Sequence, residues 1–281
     1  MSVKILHDNY GKARVRLVKV ARSAARHEVQ NLTLNIALEG DFDAIHIEGD
    51  NSKCLPTDTM KNTVYALAGQ RQDIEEAEAF GQRLAAHFLT NNERVSRVII
   101  DVSEHSWKRM KFEGSEHDHS FVKGSGEKHT VKITASRDDV TVESGVEDLI
   151  VLKTTRSGFV GFIKDEFTTL PETTDRIFST AIKASWRYRD AKDATEKTFQ
   201  AIRQTMLKVF AEHDSLSVQH TLYAMGEAIL DNFHEVEEIA FSLPNIHCLP
   251  IDMTRFGQVN DNRIFVPTDE PHGLIEARLA R

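Results

Sequence analysis

The chain has 281 residues, of which 40% are hydrophobic and 28% are charged. This composition is typical of a globular protein with a core and argues against an intrinsically disordered chain. The formal charge of −8 argues against a general binder of nucleic acids or membrane surfaces, because both require a positive field.

The first half of the chain predicts the order strand, strand, helix, helix, strand, strand. Strands are predicted at residues 15–20, 28–39, 98–102 and 130–133, and helices at residues 59–69 and 74–88. Asp73 and Glu76 have the spacing of a capping box, which places the start of the second helix at Asp73. Gly124-Ser125-Gly126 predicts a turn between the last two strands.

The second half predicts the same order of elements. Its first strand contains Lys153-Thr154-Thr155-Arg156, which matches Lys19-Val20-Ala21-Arg22 of the first half. Asp193 and Glu196 form a second predicted capping box, and a further helix is predicted from Val218. We therefore predict an α+β protein of two tandem ββααββ units, covering residues 1–138 and 139–281. Helices would cover one face of each antiparallel sheet, and closure into a barrel with other copies would cover the rest.

Asn245 and His247 are candidate functional residues near the end of the chain. They follow Pro244, which cannot donate a ladder hydrogen bond and therefore predicts either the end of a strand or an edge strand. Residues two apart on an extended chain share a face, so the amide and the imidazole can hold a small polar molecule and transfer a proton. A solvated loop is the alternative interpretation.

Two predicted helix starts are candidate sites for an anion. The first contains Thr57 and Asp58, and the second contains Val218 and Gln219. Free amides and the helix dipole attract negative charge there, and the side chain of Gln219 offers one donor and one acceptor edge. Capping of each helix by its own polar side chains is the alternative.

Arg176 and Phe159 have residue types suited to a flat anion. A guanidinium can bind two adjacent acceptors, and an aromatic ring can stack on a planar ligand. A surface arginine and a core phenylalanine are the alternatives. His105, His117 and His119 are candidate metal ligands, although thirteen histidines make one such group unremarkable. The sequence contains no dinucleotide-binding, P-loop or zinc-protease motif.

Several of these segments, in this order, resemble the urate oxidase (uricase) family. The motifs are Tyr10-Gly11-Lys12, Thr57-Asp58-Thr59-Met60-Lys61-Asn62, Asp165-Glu166-Phe167-Thr168-Thr169-Leu170, Asp175-Arg176-Ile177, Ser217-Val218-Gln219 and Leu243-Pro244-Asn245-Ile246-His247. The resemblance covers nearly the whole chain. It implies a duplicated ββααββ tunnelling fold (T-fold), in which antiparallel sheets form barrels on oligomerisation and the helices lie outside.

The resemblance also implies an activity. Urate would react with O2 and water to give 5-hydroxyisourate and hydrogen peroxide, with no metal and no organic cofactor. The enzyme would be a homotetramer with active sites at subunit interfaces, and would bind neither nucleic acid nor membrane. The isolated cysteines Cys54 and Cys248 are typical of a reducing compartment. The last residues do not form a peroxisomal tripeptide, so we expect a bacterial, cytoplasmic enzyme.

Site residues follow from the resemblance, position by position. The implied set is Lys12, Thr57 and His247 for proton relay, Thr57, Asp58, Phe159, Arg176, Val218, Gln219 and Asn245 for binding of urate and oxygen, and Leu170 and Ile275 for the pocket wall. Two alternatives remain at this point. One is a T-fold enzyme that acts on a pterin or another purine, and the other is a non-catalytic oligomer that binds purines.

Overall fold

The computed structural model describes residues 3–22 and 24–281, and this part of the chain forms nine strands and five α-helices. The strands are β1 (Tyr10–Ala21), β2 (Glu28–Gly40), β3 (Val95–Phe112), β4 (Ser115–Ser136), β5 (Val140–Lys153), β6 (Phe178–Tyr188), β7 (Val236–Pro250), β8 (Phe265–Thr268) and β9 (Leu274–Ala280). The helices are α1 (Asp43–Ile47), α2 (Thr57–Gly69), α3 (Ala77–Asn91), α4 (Glu196–Glu212) and α5 (Val218–Asn232). None of the described helices is long and apolar enough to cross a bilayer.

The chain divides into two compact units. One comprises Met1–Gly145 with Arg187–Thr198, and the other comprises Val146–Trp186 with Phe199–Arg281. The predicted order of strands and helices is confirmed in each half, with the short α1 added in the first and a third closing strand added in the second. The residue at which one repeat gives way to the next remains a prediction.

In the first unit, β1, β2, β3 and β4 pair in chain order, each antiparallel to its neighbour. Helix α3 packs on β3 and β4, and α2 packs beside β1. Alternate residues of the strands face the helices, as the period of two requires. Leu34, Ile100 and Ile133 are consequently buried, opposite Leu84 and Phe88 of α3.

In the second unit, β7 changes partner along its length. It pairs with β9 from Glu238 to Pro244 and with β8 from His247 to Pro250. The predicted alternation is confirmed, because Ile239, Phe241 and Leu243 are buried under α5.

A predicted turn and a predicted strand end are wrong, and the pairing of the strands explains both. Gly124–Gly126 lies inside β4 at a register shift against β3, where a Cβ on Gly124 would lie 2.4 Å from Ser106 Oγ. The chain reverses at Glu113-Gly114 instead. Pro244 does not end its strand, because β7 continues to Pro250. The residue stands where the pairing with β9 stops and before the pairing with β8 begins at His247, so its missing N–H interrupts neither ladder.

Both capping boxes are also misplaced. Helix α3 begins at Ala77, and the Asp73 carboxylate binds Arg71, at 2.8 and 3.1 Å, instead of capping. Helix α4 begins at Glu196, and the amide of Thr198 donates to Thr195 Oγ1 at 3.2 Å. At α3, the ion pair with Arg71 competes for the Asp73 carboxylate. At α4, the hydroxyl of Thr195 is closer to the first turn than Asp193 and caps the helix in its place.

Candidate active site

Lys12 lies near the start of β1, at a point where two strands come unusually close. A Cβ on the preceding Gly11 would lie only 1.8 Å from the carbonyl oxygen of Ile36, so only glycine fits there. The register shifts between Lys12 and Val15, and the left-handed Arg14 (φ 57°) donates its N–H to Asn35 Oδ1 at 2.9 Å. This bulge sets the direction of the half-buried Lys12.

Thr57 and Asp58 begin α2, and the segment that leads into them is held on β1. The N–H of Leu55 donates to the hydroxyl of Tyr10 at 3.0 Å. The Asp58 carboxylate accepts hydrogen bonds from Lys61 Nζ at 2.5 Å and Asn62 Nδ2 at 3.0 Å. These bonds, above all the one from Lys61, lower the pKa of Asp58, and the positive charge of Lys12 adds to the effect.

The first unit thus brings Lys12 and the start of α2 into one neighbourhood. The described residues include no direct hydrogen bond between Lys12 and the half-buried Thr57. Lys12 and Thr57 are therefore connected indirectly, through the charge interaction of Lys12 with Asp58 and the hydrogen bond that Tyr10 accepts from Leu55.

In the second unit, the backbone of Ser157 and its neighbours holds two predicted site residues and the chain that leads into α5. The N–H of Arg176 donates to Ser157 O at 2.7 Å, and the N–H of Gly158 donates to Ser215 O at 2.8 Å. Phe159 pairs with Thr173 through bonds of 2.7 and 3.1 Å. Arg176, Phe159 and the chain that enters α5 are therefore held together by backbone hydrogen bonds.

Arg176 offers a partly desolvated positive charge. Its Cζ lies 5.5 Å from the centroid of the Phe159 ring, and Phe162 stacks on that ring at 4.9 Å with an interplanar angle of 12°. Burial lowers the pKa of Arg176, and no carboxylate in the described residues forms an ion pair with it. A half-buried guanidinium without a protein counterion is suited to a bound anion.

The start of α5 presents backbone donors beside this arginine. Ser217 caps the helix by accepting the N–H of His220 at 3.1 Å, and the N–H of Thr221 makes a bond of 3.2 Å to Ser217 O. The amides of Val218 and Gln219 precede these bonds and point out of the helix end. Val218 is buried and Gln219 is exposed. The helix predicted from about Val218 is confirmed, because α5 begins at that residue.

Asn245 and His247 are both half-buried on β7. The N–H of Asn245 donates to Gly273 O at 2.8 Å, and the buried Thr180 donates its hydroxyl to Pro244 O at 2.8 Å. These bonds fix the backbone on both sides of the Pro244–Asn245 peptide. Thr180 was missed by the sequence analysis, and no motif marks it.

The two predicted pocket-wall residues differ in exposure. Ile275 is half-buried on β9, opposite Leu243 of β7. Leu170 lies in the loop after Phe159 and is 52% exposed.

The candidate metal ligands His105, His117 and His119 each have contacts of their own. His105 Nε2 lies 2.9 Å from the hydroxyl of Thr33, whereas the rings of His117 and His119 lie 4.6 Å from each other. Within residues 3–22 and 24–281, no group of three or more His, Cys, Asp or Glu side chains is arranged to hold a metal. A groove of about 580 Å³ runs along β1 and the end of α2, and none of the predicted site residues lines it.

Comparison with known sequences identifies one family. The profile named Uricase matches residues 8–134 and 142–276. The uricase of Arthrobacter globiformis is 42% identical over 274 residues, which cover 98% of this chain and 89% of the relative. The uricase of Dictyostelium discoideum is 38% identical over 99% of this chain and 97% of its own length.

Comparison with solved structures agrees. The crystal structure of the Arthrobacter globiformis uricase matches with a TM-score of 0.95 and 41% identity, covering 100% of this chain and 96% of the other. The urate oxidase of Bacillus sp. TB-90 matches with a TM-score of 0.85 at 24% identity, covering 98% and 100%, and supports the fold alone. The α+β tunnelling fold predicted from the sequence is confirmed.

Proposed function

Because the chain belongs to the uricase family and is a urate oxidase, we propose how its own residues oxidise urate with O2 and water to 5-hydroxyisourate and hydrogen peroxide. The observation that carries the proposal is the half-buried Arg176, which has no counterion among the described residues and is held against Phe159, close to the start of α5.

Urate would bind as a flat anion between three kinds of contact. The guanidinium of Arg176 grips one polar edge with two hydrogen bonds, and the amide side chain of Gln219 pairs with the opposite edge. The N–H of Val218 donates to a urate carbonyl at the helix start. Phe159, braced by Phe162 at 4.9 Å, stacks on the purine. The exposed Leu170 and the half-buried Ile275 would form apolar pocket wall.

Lys12, Thr57 and His247 would move the protons. Urate must lose a proton to become a good electron donor to O2, and a threonine hydroxyl is a poor base unless a lysine takes its proton. Asp58 would join Thr57 at the five-membered ring, and its bond to Lys61 keeps it ionised. Asn245 would hold O2, and afterwards the attacking water, above the ring.

We propose that this reaction uses neither a metal nor an organic cofactor. The electrons come from the urate anion itself, O2 accepts them as a co-substrate, and the protein supplies only binding and proton transfer. We further propose a homotetramer in which Lys12, Thr57 and Asp58 of one subunit complete the site of another. The free thiols of Cys54 and Cys248 suit a cytoplasmic enzyme.

The test is a urate assay on the full-length protein after exhaustive chelation. We expect the urate absorbance to fall in air while O2 is consumed and one hydrogen peroxide is released per urate. Activity that disappears with the chelator and returns with one metal would overturn the cofactor-free proposal. Binding of urate without consumption of O2 would overturn the oxidase mechanism and favour a purine-binding oligomer.

A further inference from the structure

Tyr10 has a position that the proposed reaction does not yet explain. It lies two residues before Lys12 on β1, so both side chains leave the same face of the strand. Its hydroxyl accepts the N–H of Leu55 at 3.0 Å, and Leu55 is two residues before Thr57. One phenol oxygen therefore links the strand that carries the lysine to the segment that carries the threonine.

The link is rigid on the strand side. The Tyr10 ring packs edge-to-face on the buried Phe42, with centroids 4.8 Å apart and an interplanar angle of 85°. At Gly11 the two strands pass so close that a Cβ would lie 1.8 Å from the Ile36 carbonyl oxygen. The ring and the strand together fix the hydroxyl in space.

The phenol is not suited to proton transfer near neutral pH. Burial raises the pKa of Tyr10 to about 12, so the group stays protonated over the working range of an enzyme. A group that keeps its proton can still fix geometry through the hydrogen bond that it accepts.

We propose that Tyr10 is a positioning residue that sets the distance between Lys12 and Thr57. This inference rests on the proposed proton relay. Lys12 and Thr57 come from different elements, β1 and α2, and proton transfer between them requires hydrogen-bond distance. Removal of the Tyr10 hydroxyl frees the Leu55 amide and lets the start of α2 drift from β1. This costs turnover much more than urate binding, because Arg176 and Gln219 of the second unit keep their places.

Tyr65 provides a matched control. Its hydroxyl also ties α2 to β1, because it donates to Arg16 O at 3.3 Å. The bond lies two turns along α2 from Thr57 and does not hold the segment that precedes it. Tyr10→Phe and Tyr65→Phe thus each remove a phenol oxygen that ties β1 to α2 or to the segment before it. The two oxygens differ in their distance from the proposed relay.

The experiment is a double-mutant cycle on the full-length enzyme. Wild type, Tyr10→Phe, Lys12→Met, the double variant and Tyr65→Phe are compared for kcat, KM for urate, and thermal unfolding. We expect Tyr10→Phe to lower kcat about 10-fold with KM changed less than about 2-fold, since small misplacements of reacting groups are costly. Lys12→Met alone should lose about 10²–10⁴-fold in kcat. In that background the further effect of Tyr10→Phe should fall below about 2-fold, because the relay that it aligns is gone.

The outcomes separate this inference from the proposed function. If Lys12→Met keeps its turnover, the relay itself is wrong. If Lys12→Met loses turnover while Tyr10→Phe keeps it, or if the two losses multiply, the positioning role is wrong and the relay stands. An equal loss of kcat in Tyr65→Phe also overturns the positioning role, because the loss would then come from a general loosening of α2 against β1. Should Tyr10→Phe not fold, Leu55→Pro removes the same bond from the donor side and takes its place in the cycle.

Discussion

Glu78 is a fully buried carboxylate that the proposed reaction does not use. Its Oε1 accepts hydrogen bonds from His129 Nε2 at 2.9 Å and from Ser144 Oγ at 2.6 Å. Glu196 approaches the other nitrogen of His129 at 3.6 Å, and the half-buried Glu104 adds a further negative field. Burial alone would neutralise both members of the Glu78–His129 pair, yet their mutual attraction prevails. The pKa of Glu78 is lowered and that of His129 is raised.

The pair predicts a pH window of stability. The lowered pKa of Glu78 contributes stability above about pH 4.5 that is lost as the pH falls through its folded value. The raised pKa of His129 contributes stability below about pH 6.5 that is lost as the pH rises through its folded value. Both contributions are present together near pH 5.5. We expect His129→Gln to lower the free energy of unfolding by about 3 kcal/mol there, and by less at pH 8.5.

Urea unfolding of the two proteins at both pH values, at one fixed chain concentration, measures this difference. His87→Gln, which removes a half-buried imidazole from α3 and leaves the Glu78–His129 pair in place, is the control. A loss in His129→Gln that is the same at pH 5.5 and 8.5 would mean that folding does not raise the pKa of His129.

At the scale of residues, the sequence predicted the identity of the site better than its surroundings. The motifs named Arg176 and Phe159, but the backbone bonds through Ser157 that hold them together join segments with no local signal. Glu78 could not be predicted, because a glutamate in the first turn of a helix is usually solvated, and His129 lies on a strand distant in sequence.

At the scale of elements, α5 is the helix whose start matters most. Ser217 caps it, and the two residues that follow are the proposed urate contacts Val218 and Gln219. Loss of a cap costs about 1 kcal/mol and frays the first turn. We therefore expect Ser217→Ala to raise KM for urate about 10-fold with a smaller change in kcat, because fraying misplaces ground-state contacts.

Thr195→Ala is the matched comparison, since it removes the cap of α4 and a similar stabilisation. It should lower the thermal midpoint about as much as Ser217→Ala without changing KM. Steady-state kinetics and thermal scans of both variants decide the matter. Equal KM values would show that the helix start holds no part of urate.

The same elements explain why capping signals were uneven predictors. At Ser217 the cap has no competitor, so the predicted start was right. Asp73 was diverted by Arg71, and Asp193 lies in a short 3₁₀ turn before the true cap at Thr195. Spacing in the sequence identifies groups able to cap, whereas neighbouring partners decide which of them does so.

At the scale of the whole molecule, the two halves have the same order of elements but different proposed roles in the site. Helices α3 and α5 each have 15 residues, and their second positions are Glu78 and Gln219. In the first half this position is buried and satisfied by His129, whereas in the second half it is exposed beside Arg176. Of these two equivalent helices, α5 keeps an open start for a ligand and α3 does not, and the proposed contribution of the first half is Lys12 with Thr57 at the start of α2.

This division leads to a test of the proposed interface between subunits. Suppose that each site takes Lys12 and Thr57 from one subunit and Arg176 from another. A site built from one subunit of each variant can then contain an intact Lys12 and an intact Arg176, although Lys12→Met and Arg176→Gln are each inactive alone. Two nearly inactive variants, co-expressed with different tags and purified as mixed oligomers, should regain activity. Random mixing leaves about one quarter of the sites with both contributions intact, so about a quarter of wild-type kcat is expected.

Two controls make the result decisive. Each variant alone, and the two mixed after separate assembly, should stay inactive, since no hybrid sites have formed. The double variant co-expressed with wild type should add nothing beyond the sites that wild-type contributions complete. If co-expression of the single variants restores no activity while the hybrids are shown to assemble, Lys12 and Arg176 of one site come from the same subunit. The barrel would then serve stability, and the proton relay would close within a single chain.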